Sequence, residues 1–256
     1  NDSPALKKAD IGCAMGITGT DVAKSAADMV LTDDNFATII AAVKEGRGIY
    51  ANIKKDVQFL LSSNIGEVLL IFGASLIQLV FKVELGVPLL PIHLLWVNLI
   101  TDSLPAFALG LEEPEDGIMN EKPRDKQESF FANGLGITIA WQGLLVGALS
   151  LISYMTGNAV SHETGMSMAF VTLSLTQLVH AFNIKSKHTI FHPSTFNNKF
   201  LWLSLVAGLV LVLGIMYIPA CSSLFKLVPL GAEDLFVALG LPFVMVVACE
   251  IQKKFQ

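Results

Sequence analysis

Six stretches of mostly apolar residues divide the chain, at about 57–81, 88–110, 132–156, 163–183, 199–218 and 231–250. A hydrocarbon core of about 30 Å takes roughly 20 helical residues to cross. Inside it a backbone must satisfy its own N–H and C=O groups, which leaves helices or closed barrels. Runs of this length predict helices. Their claim on the composition is large: 53% of the 256 residues are hydrophobic and only 15% charged, against about 25% charged in ordinary soluble domains. The deficit is uneven, because residues 1–56 hold a near-normal charge complement and the long uncharged runs follow. A small soluble segment joined to a membrane domain is therefore expected.

The direction of the spans follows from the basic residues. If residues 1–56 are cytoplasmic, so are loop 111–131, loop 184–198 and the C-terminal tail. All 17 Lys and Arg except Lys82 and Lys226 then fall on that side. A multi-pass protein of the plasma or cell membrane, with both termini cytoplasmic and the lipid bilayer as its partner, is the expectation. The net charge of -5 and the lack of a basic stripe argue against nucleic acid as a partner. Cys13, Cys221 and Cys249 lie far apart without CxxC spacing, so neither a disulfide framework nor a zinc site is indicated.

Residues 1–56 alternate differently. "PALKKA" reads as a short helix, "DIGCAMG" as a strand, "GTDVAKSAA" as a helix and "DMVLT" as a second strand. That order indicates the edge of a parallel α/β sheet. "DDNFATIIAAVKEGRGIYANIKKDV" reads as a long helix with Asp33 or Asp34 as N-cap. Nothing stronger than Gly46 and Gly48 interrupts it before the first span, so it can serve as a stalk. The segment is too short for a core of its own and starts at Asn1 rather than Met, without a signal peptide. The chain is thus expected to be the C-terminal portion of a longer protein. The fold class is mainly α: a six-helix transmembrane bundle preceded by a partial α/β segment and a stalk helix.

Several polar residues sit where lipid would exclude them. Asn64 and Glu67 in the first span are three apart, and Asn98, Thr101 and Asp102 in the second follow i, i+3, i+4, so each set is expected on one helix face. Gln177 in the fourth has Ser174 and Thr176 close by. A charge at mid-span costs about 2.5–3.5 kcal/mol on insertion scales. Lone Gln177 or Ser62 is most simply an interhelical hydrogen-bonding residue, and His180 a structural or interfacial one. Two carboxylates, each with an amide on its own face, point instead to a shared cation, with permanently protonated structural acids as the alternative. Carboxylate, amide and hydroxyl oxygens are hard donors that suit Ca²⁺, Na⁺ or Mn²⁺ better than Zn²⁺ or Cu⁺. Pro105 has no N–H for the Thr101 carbonyl, so the second span is expected to be interrupted there.

"NDSPALKKADIGCAMG", "SSNIGEVLL", "LLWVNLITDSLPAFALG" and "IMNEKPR" together resemble the C-terminal part of P-type ATPases, specifically the calcium-transporting (type II) subgroup. The resemblance covers essentially the whole chain. It implies that residues 1–47 end a haloacid-dehalogenase-like cytoplasmic phosphorylation domain and that residues 48–256 form a transmembrane cation-transport domain, the last six of ten helices. The family's GDGxND hinge motif would end at Asn1, which helps hold the phosphoryl group, and Asp2, which organises the Mg²⁺ environment. The phosphorylated aspartate of DKTGT and the nucleotide domain do not occur in this sequence, so this chain by itself is expected not to hydrolyse ATP. Asn64, Glu67, Asn98, Thr101 and Asp102 match Ca²⁺-binding positions of two-site pumps. Gln177 departs from the family's glutamate there, which weakens that site electrostatically. The implied mechanism is alternating access, with protons taken up in exchange for Ca²⁺. Pumps for Mn²⁺ or Na⁺, and a non-catalytic channel or secondary transporter, are the alternatives.

Overall fold

The computed structural model describes residues 2–125 and 127–254. Two compact units divide it. One holds the residues up to Ala51 together with Glu113–Pro123, and the other holds Asn52–Glu112 and the residues from Arg124 onward.

In the first unit, helix α1 (Ser3–Lys8) precedes strand β1 (Cys13–Met15), helix α2 (Asp21–Ala26) and strand β2 (Met29–Leu31). β1 and β2 pair in parallel with Cys13 opposite Met29 and Met15 opposite Leu31, as the alternation of strand and helix signals predicts. Thr20 caps α2 by accepting from the Ala23 amide at 3.2 Å. Helix α3 starts later than expected, at Ala37, and runs unbroken to Phe81. Neither Asp33 nor Asp34 is its cap. Asn35 Oδ1 accepts the Ala37 amide at 3.0 Å, while Asp33 accepts the Asn35 amide at 3.1 Å and the Thr38 hydroxyl at 2.6 Å. Asp34 adopts a left-handed conformation, φ 50°. From there its carboxylate reaches back to the Ile17 and Thr18 amides, both at 2.8 Å. A residue tied to the loop after β1 is not available to cap α3.

Gly46 and Gly48 do not break α3. A methyl group at Gly48 would come within 2.7 Å of Pro114, so glycine there admits segment 113–123 against the helix. Arg47 fastens that segment by donating to the carbonyls of Ile118 at 2.7 Å and Glu121 at 2.8 Å. Half of what reads as a plain polar loop therefore belongs to the first unit.

The second unit is a helical bundle, and among the described residues six helices are long and apolar enough to cross a membrane. After α3 come α4 (Pro91–Trp96), a π-helical turn (Val97–Thr101) and α5 (Ser103–Gly110), which together make the second span. Then follow α6 (Leu135–Asn158), α7 (His162–Lys185), α8 (Lys199–Tyr217), a short α9 (Pro219–Phe225), α10 (Ala232–Gly240) and α11 (Pro242–Lys253). The last span is expected as one helix but divides at Pro242, which cannot donate to the Ala238 carbonyl. The Thr172 hydroxyl of α7 donates to that carbonyl at 3.1 Å instead.

α7 lies at the centre, with 89% of its spanning window buried. α6 packs closely on α3, because a methyl at Gly147 would sit 2.9 Å from the Gly66 carbonyl oxygen and one at Gly143 2.6 Å from Ile65. Such close approach of small residues drives helix association where lipid removes the hydrophobic contrast. The main core gathers Leu70, Val97, Val146, Phe170, Met216 and Met245; a smaller one gathers Phe59, Leu109, Phe182 and Leu201.

Candidate cation site in the helix bundle

The second span does not unwind at Pro105. The adjustment falls one turn earlier, where the Asp102 amide donates to the Val97 carbonyl at 2.9 Å, an i to i−5 bond that widens the helix. Helix α5 then passes through Pro105 with the Ala106 amide bonded to the Asp102 carbonyl at 3.1 Å. Widened turns of this kind insert a residue into a helix and re-aim its side chains. Thr101 and Asp102, at the end of the turn, both point inward, 1% and 0% exposed.

Glu67, on α3, is 5% exposed. Its two carboxylate oxygens are each met by an amide from another helix: Gln177 Nε2 of α7 at 3.1 Å and Asn98 Nδ2 of the π turn at 2.7 Å. Asn98 Nδ2 also donates to the Leu94 carbonyl at 3.0 Å. Glu67 lies within electrostatic reach of Asp102. Three helical segments thus converge on two acids.

Among the described residues, neither oxygen of Asp102 has a hydrogen-bond partner, nor do Gln177 Oε1, Ser174 Oγ or Ser63 Oγ. Buried polar atoms are nearly always satisfied, and an orphaned set needs an explanation. Leaving a carboxylate unpaired in an apolar interior is among the costliest arrangements available. What these orphans share is lone pairs. The unpartnered carboxylate of Asp102 and the unpartnered oxygen of Gln177, whose Nε2 already meets Glu67, are hard donors of the kind a cation such as Ca²⁺ takes. The amides of Asn98 and Gln177 now offer N–H groups to Glu67, and a half-turn of either offers oxygen instead.

Not every expected residue joins this group. Asn64 is exposed and apart from the network. Three residues on a helix turn the side chain by about 300°, so Asn64 and Glu67 lie about 60° apart, and the bundle boundary falls between them. Asn98 is itself largely exposed, although its amide reaches Glu67. Asp2 is exposed at the head of α1, and Asn1 lies outside the described residues. Among the described residues, no group of three or more His, Cys, Asp or Glu side chains is placed to hold a metal ion.

Of the buried polar groups, the sequence reading names His180 and Ser62 but passes over Gln142 and Lys185. His180 is the structural residue of its two readings: it is fully buried, with Nε2 at 3.2 Å from Ser62 Oγ and Nδ1 at 4.0 Å from Cys249 Sγ. Beside them Gln142 accepts from Gln58 Nε2 at 2.8 Å and donates to Gln252 Oε1 at 3.2 Å. Lys185 also turns inward to Glu112, at 2.6 Å. Each partner lies tens of residues away in the sequence, so no local spacing marks these contacts.

Six spanning helices around buried acids define a polytopic membrane protein with a polar interior. The family model described as "Cation transporting ATPase, C-terminus" matches residues 86–255, and the chain belongs to that family. It is 42% identical over 244 residues to a calcium-transporting ATPase of Bacillus subtilis, covering 94% of this chain and 27% of that protein. It is 44% identical over 274 residues to calcium-transporting ATPase 1 of Bacillus cereus, covering 99% and 30%. To the endoplasmic reticulum calcium ATPase srcA of Aspergillus fumigatus it is 37% identical over 289 residues, covering 99% and 29%. The chain spans less than a third of the length of these relatives.

Proposed function

We propose that this chain is the membrane-transport part of an ATP-driven pump that exports Ca²⁺ from the cytoplasm, with Glu67 and Asp102 as the acids that hold the ion between α3, the π turn and α7. The observation that carries the reading is Asp102: a fully buried carboxylate with both oxygens unpartnered, beside a second acid held by two amides. Gln177, Thr101 and Asn98 supply further oxygens. Asn64, exposed as it is, serves only if another part of the pump closes over it. The relatives named as calcium-transporting ATPases favour Ca²⁺ over Mn²⁺ or Na⁺ as cargo.

In this reading the first unit closes the phosphorylation domain, and the exposed apolar side chains of Ile11, Ile17, Val30 and Ile40 are surface for the rest of it. ATP and Mg²⁺ act through residues mostly outside this sequence. Asp2 is the described remnant of the hinge motif, and one exposed carboxylate does not make a Mg²⁺ site, so no step is assigned to it. α3 passes the motion of phosphorylation to Glu67. When the ion leaves, two facing acids without a counter-charge take up protons in exchange. The termini lie on the cytoplasmic side of the cell membrane.

The test is uptake of ⁴⁵Ca²⁺ by proteoliposomes of the intact pump with ATP inside the assay, alongside a luminal pH dye. ATP-dependent accumulation with lumen alkalinisation is the expected outcome. Uptake without ATP would make the bundle a channel, and uptake without a pH change would remove the proton exchange.

A further inference from the structure

A second charged cluster lies at one end of the bundle, away from the two acids. Lys185 is the last residue of α7, and a lysine at a span end ordinarily extends to water. This one is 2% exposed. Its ammonium donates to Glu112 Oε1 at 2.6 Å and to the Ser194 carbonyl at 2.7 Å. The other oxygen of Glu112 accepts from Asn198 Nδ2 at 2.8 Å, and that amide also donates to the Ala108 carbonyl at 2.7 Å. Asn198 Oδ1 in turn caps α8 by accepting the Leu201 amide at 3.0 Å. The Glu112 carbonyl accepts from Asn52 Nδ2 of α3 at 2.7 Å, and Asn52 also reaches the Gly110 carbonyl at 3.3 Å.

The membership of this knot is informative. α3, the second span and α7 supply Glu67, Asp102 and Gln177, and the same three elements meet again here, joined by the head of α8. Along the helix axes the knot stands about 15 Å from Asp102, about 12 Å from Gln177 and about 22 Å from Glu67, at 1.5 Å per residue. Apolar packing between helices tolerates small axial sliding, since it is non-directional. A buried ion pair with six further hydrogen bonds does not, because any slip leaves charge unpaired.

We propose that Lys185 and Glu112 are positioning residues for the cation site: their ion pair fixes the axial register of α5 against α7, and with it the spacing of Asp102 from Gln177 and Glu67. The inference rests on the cation-site reading above. Neither residue touches the ion, so their effect reaches it only through the helices they hold.

The intact pump and this chain in nanodiscs provide the test. Lys185→Met and Glu112→Gln each raise the Ca²⁺ concentration for half-maximal ATPase by about tenfold, the scale of a small misplacement of ligands, while the maximal rate stays within about twofold. Lys185→Arg keeps charge and donors and stays near wild type. The double variant Lys185→Met/Glu112→Gln separates the roles, because it leaves no unpaired buried charge and so regains thermal stability. Positioning predicts that its Ca²⁺ affinity remains low. If affinity returns with stability, or if the single variants bind Ca²⁺ as wild type does, the pair is structural only and the proposal fails. A wild-type pump indifferent to Ca²⁺ sinks the calcium reading by itself. The register is then judged in this chain by hydrogen exchange at Val97–Asp102, which loss of the pair accelerates and which unchanged exchange would overturn.

Discussion

α7 and α8 are neighbours of similar length with opposite characters. α7 carries Ser167, Thr172, Ser174, Thr176, Gln177, His180 and Asn183, all buried, and 89% of its spanning window is buried. α8 is almost wholly apolar, and 33% of its window is buried, with Leu203, Val206 and Val210 each more than half exposed. In water the apolar helix would sit inside. In a bilayer the lipid is as apolar as leucine, so polar side chains are what the interior selects. Chemistry in such a bundle therefore sits on the helix with the most hydroxyls and amides, and on whatever faces it.

Asp102→Asn in the intact pump strikes the polar interior hardest. It removes a charge that only the polar interior explains, and cation-dependent phosphorylation by ATP should fall at least 100-fold, the scale of losing a principal electrostatic partner. Retained phosphoenzyme formation would detach the interior from transport. Next in size, Phe170→Ala on α7, fully buried, should cost about 3–5 kcal/mol, while Leu203→Ala on α8 should stay within about 0.5 kcal/mol. Unfolding of the chain in mixed micelles measures both, and equal losses would erase the difference between the helices. Thr172→Val takes the hydroxyl from the Ala238 carbonyl and should cost about 1 kcal/mol. A zero cost would mean that the bend at Pro242 needs no support from α7.

The smallest effect lies outside the bilayer. The Thr38 hydroxyl beside Asp33 holds its carboxyl below the usual carboxylate range, and the Ile17 amide, with Thr18, does so for Asp34. A lowered folded-state value means that the stability these groups lend is whole above the usual range. It is lost as pH falls through the lowered value. Asp34→Asn should flatten the acid side of the pH–stability curve of the first unit and leave the bundle untouched. An unchanged curve would show that the contact contributes nothing.

The six spans were legible because a bilayer imposes length and composition on each helix independently of its neighbours. The strand pair was legible for a similar local reason: short apolar runs between turn signals. The interior was legible in part. Glu67, Asp102 and Gln177 stand out as residues that lipid would refuse, and the structure brings Glu67 and Gln177 into contact with Asp102 alongside. Asn64 shows the limit, since three residues of spacing leave enough rotation for the bundle edge to pass between it and Glu67. The caps of α3 were decided by Asp34, whose partners Ile17 and Thr18 lie in another loop. Lys185 reads in sequence as one more loop cation, because pairing across 73 residues leaves no periodic trace.

The widened turn at Val97–Thr101 leaves one consequence for the second span. It carries a surplus residue, and a surplus can be handed along. If the bulge closed, or moved past Asp102, the segment beyond it would swivel by about 100° and shift by about 1.5 Å, the increment of one helical residue. That is a discrete click rather than a gradual bend, and it would carry the Asp102 oxygens from one wall of the bundle to another while both flanking helices stay intact.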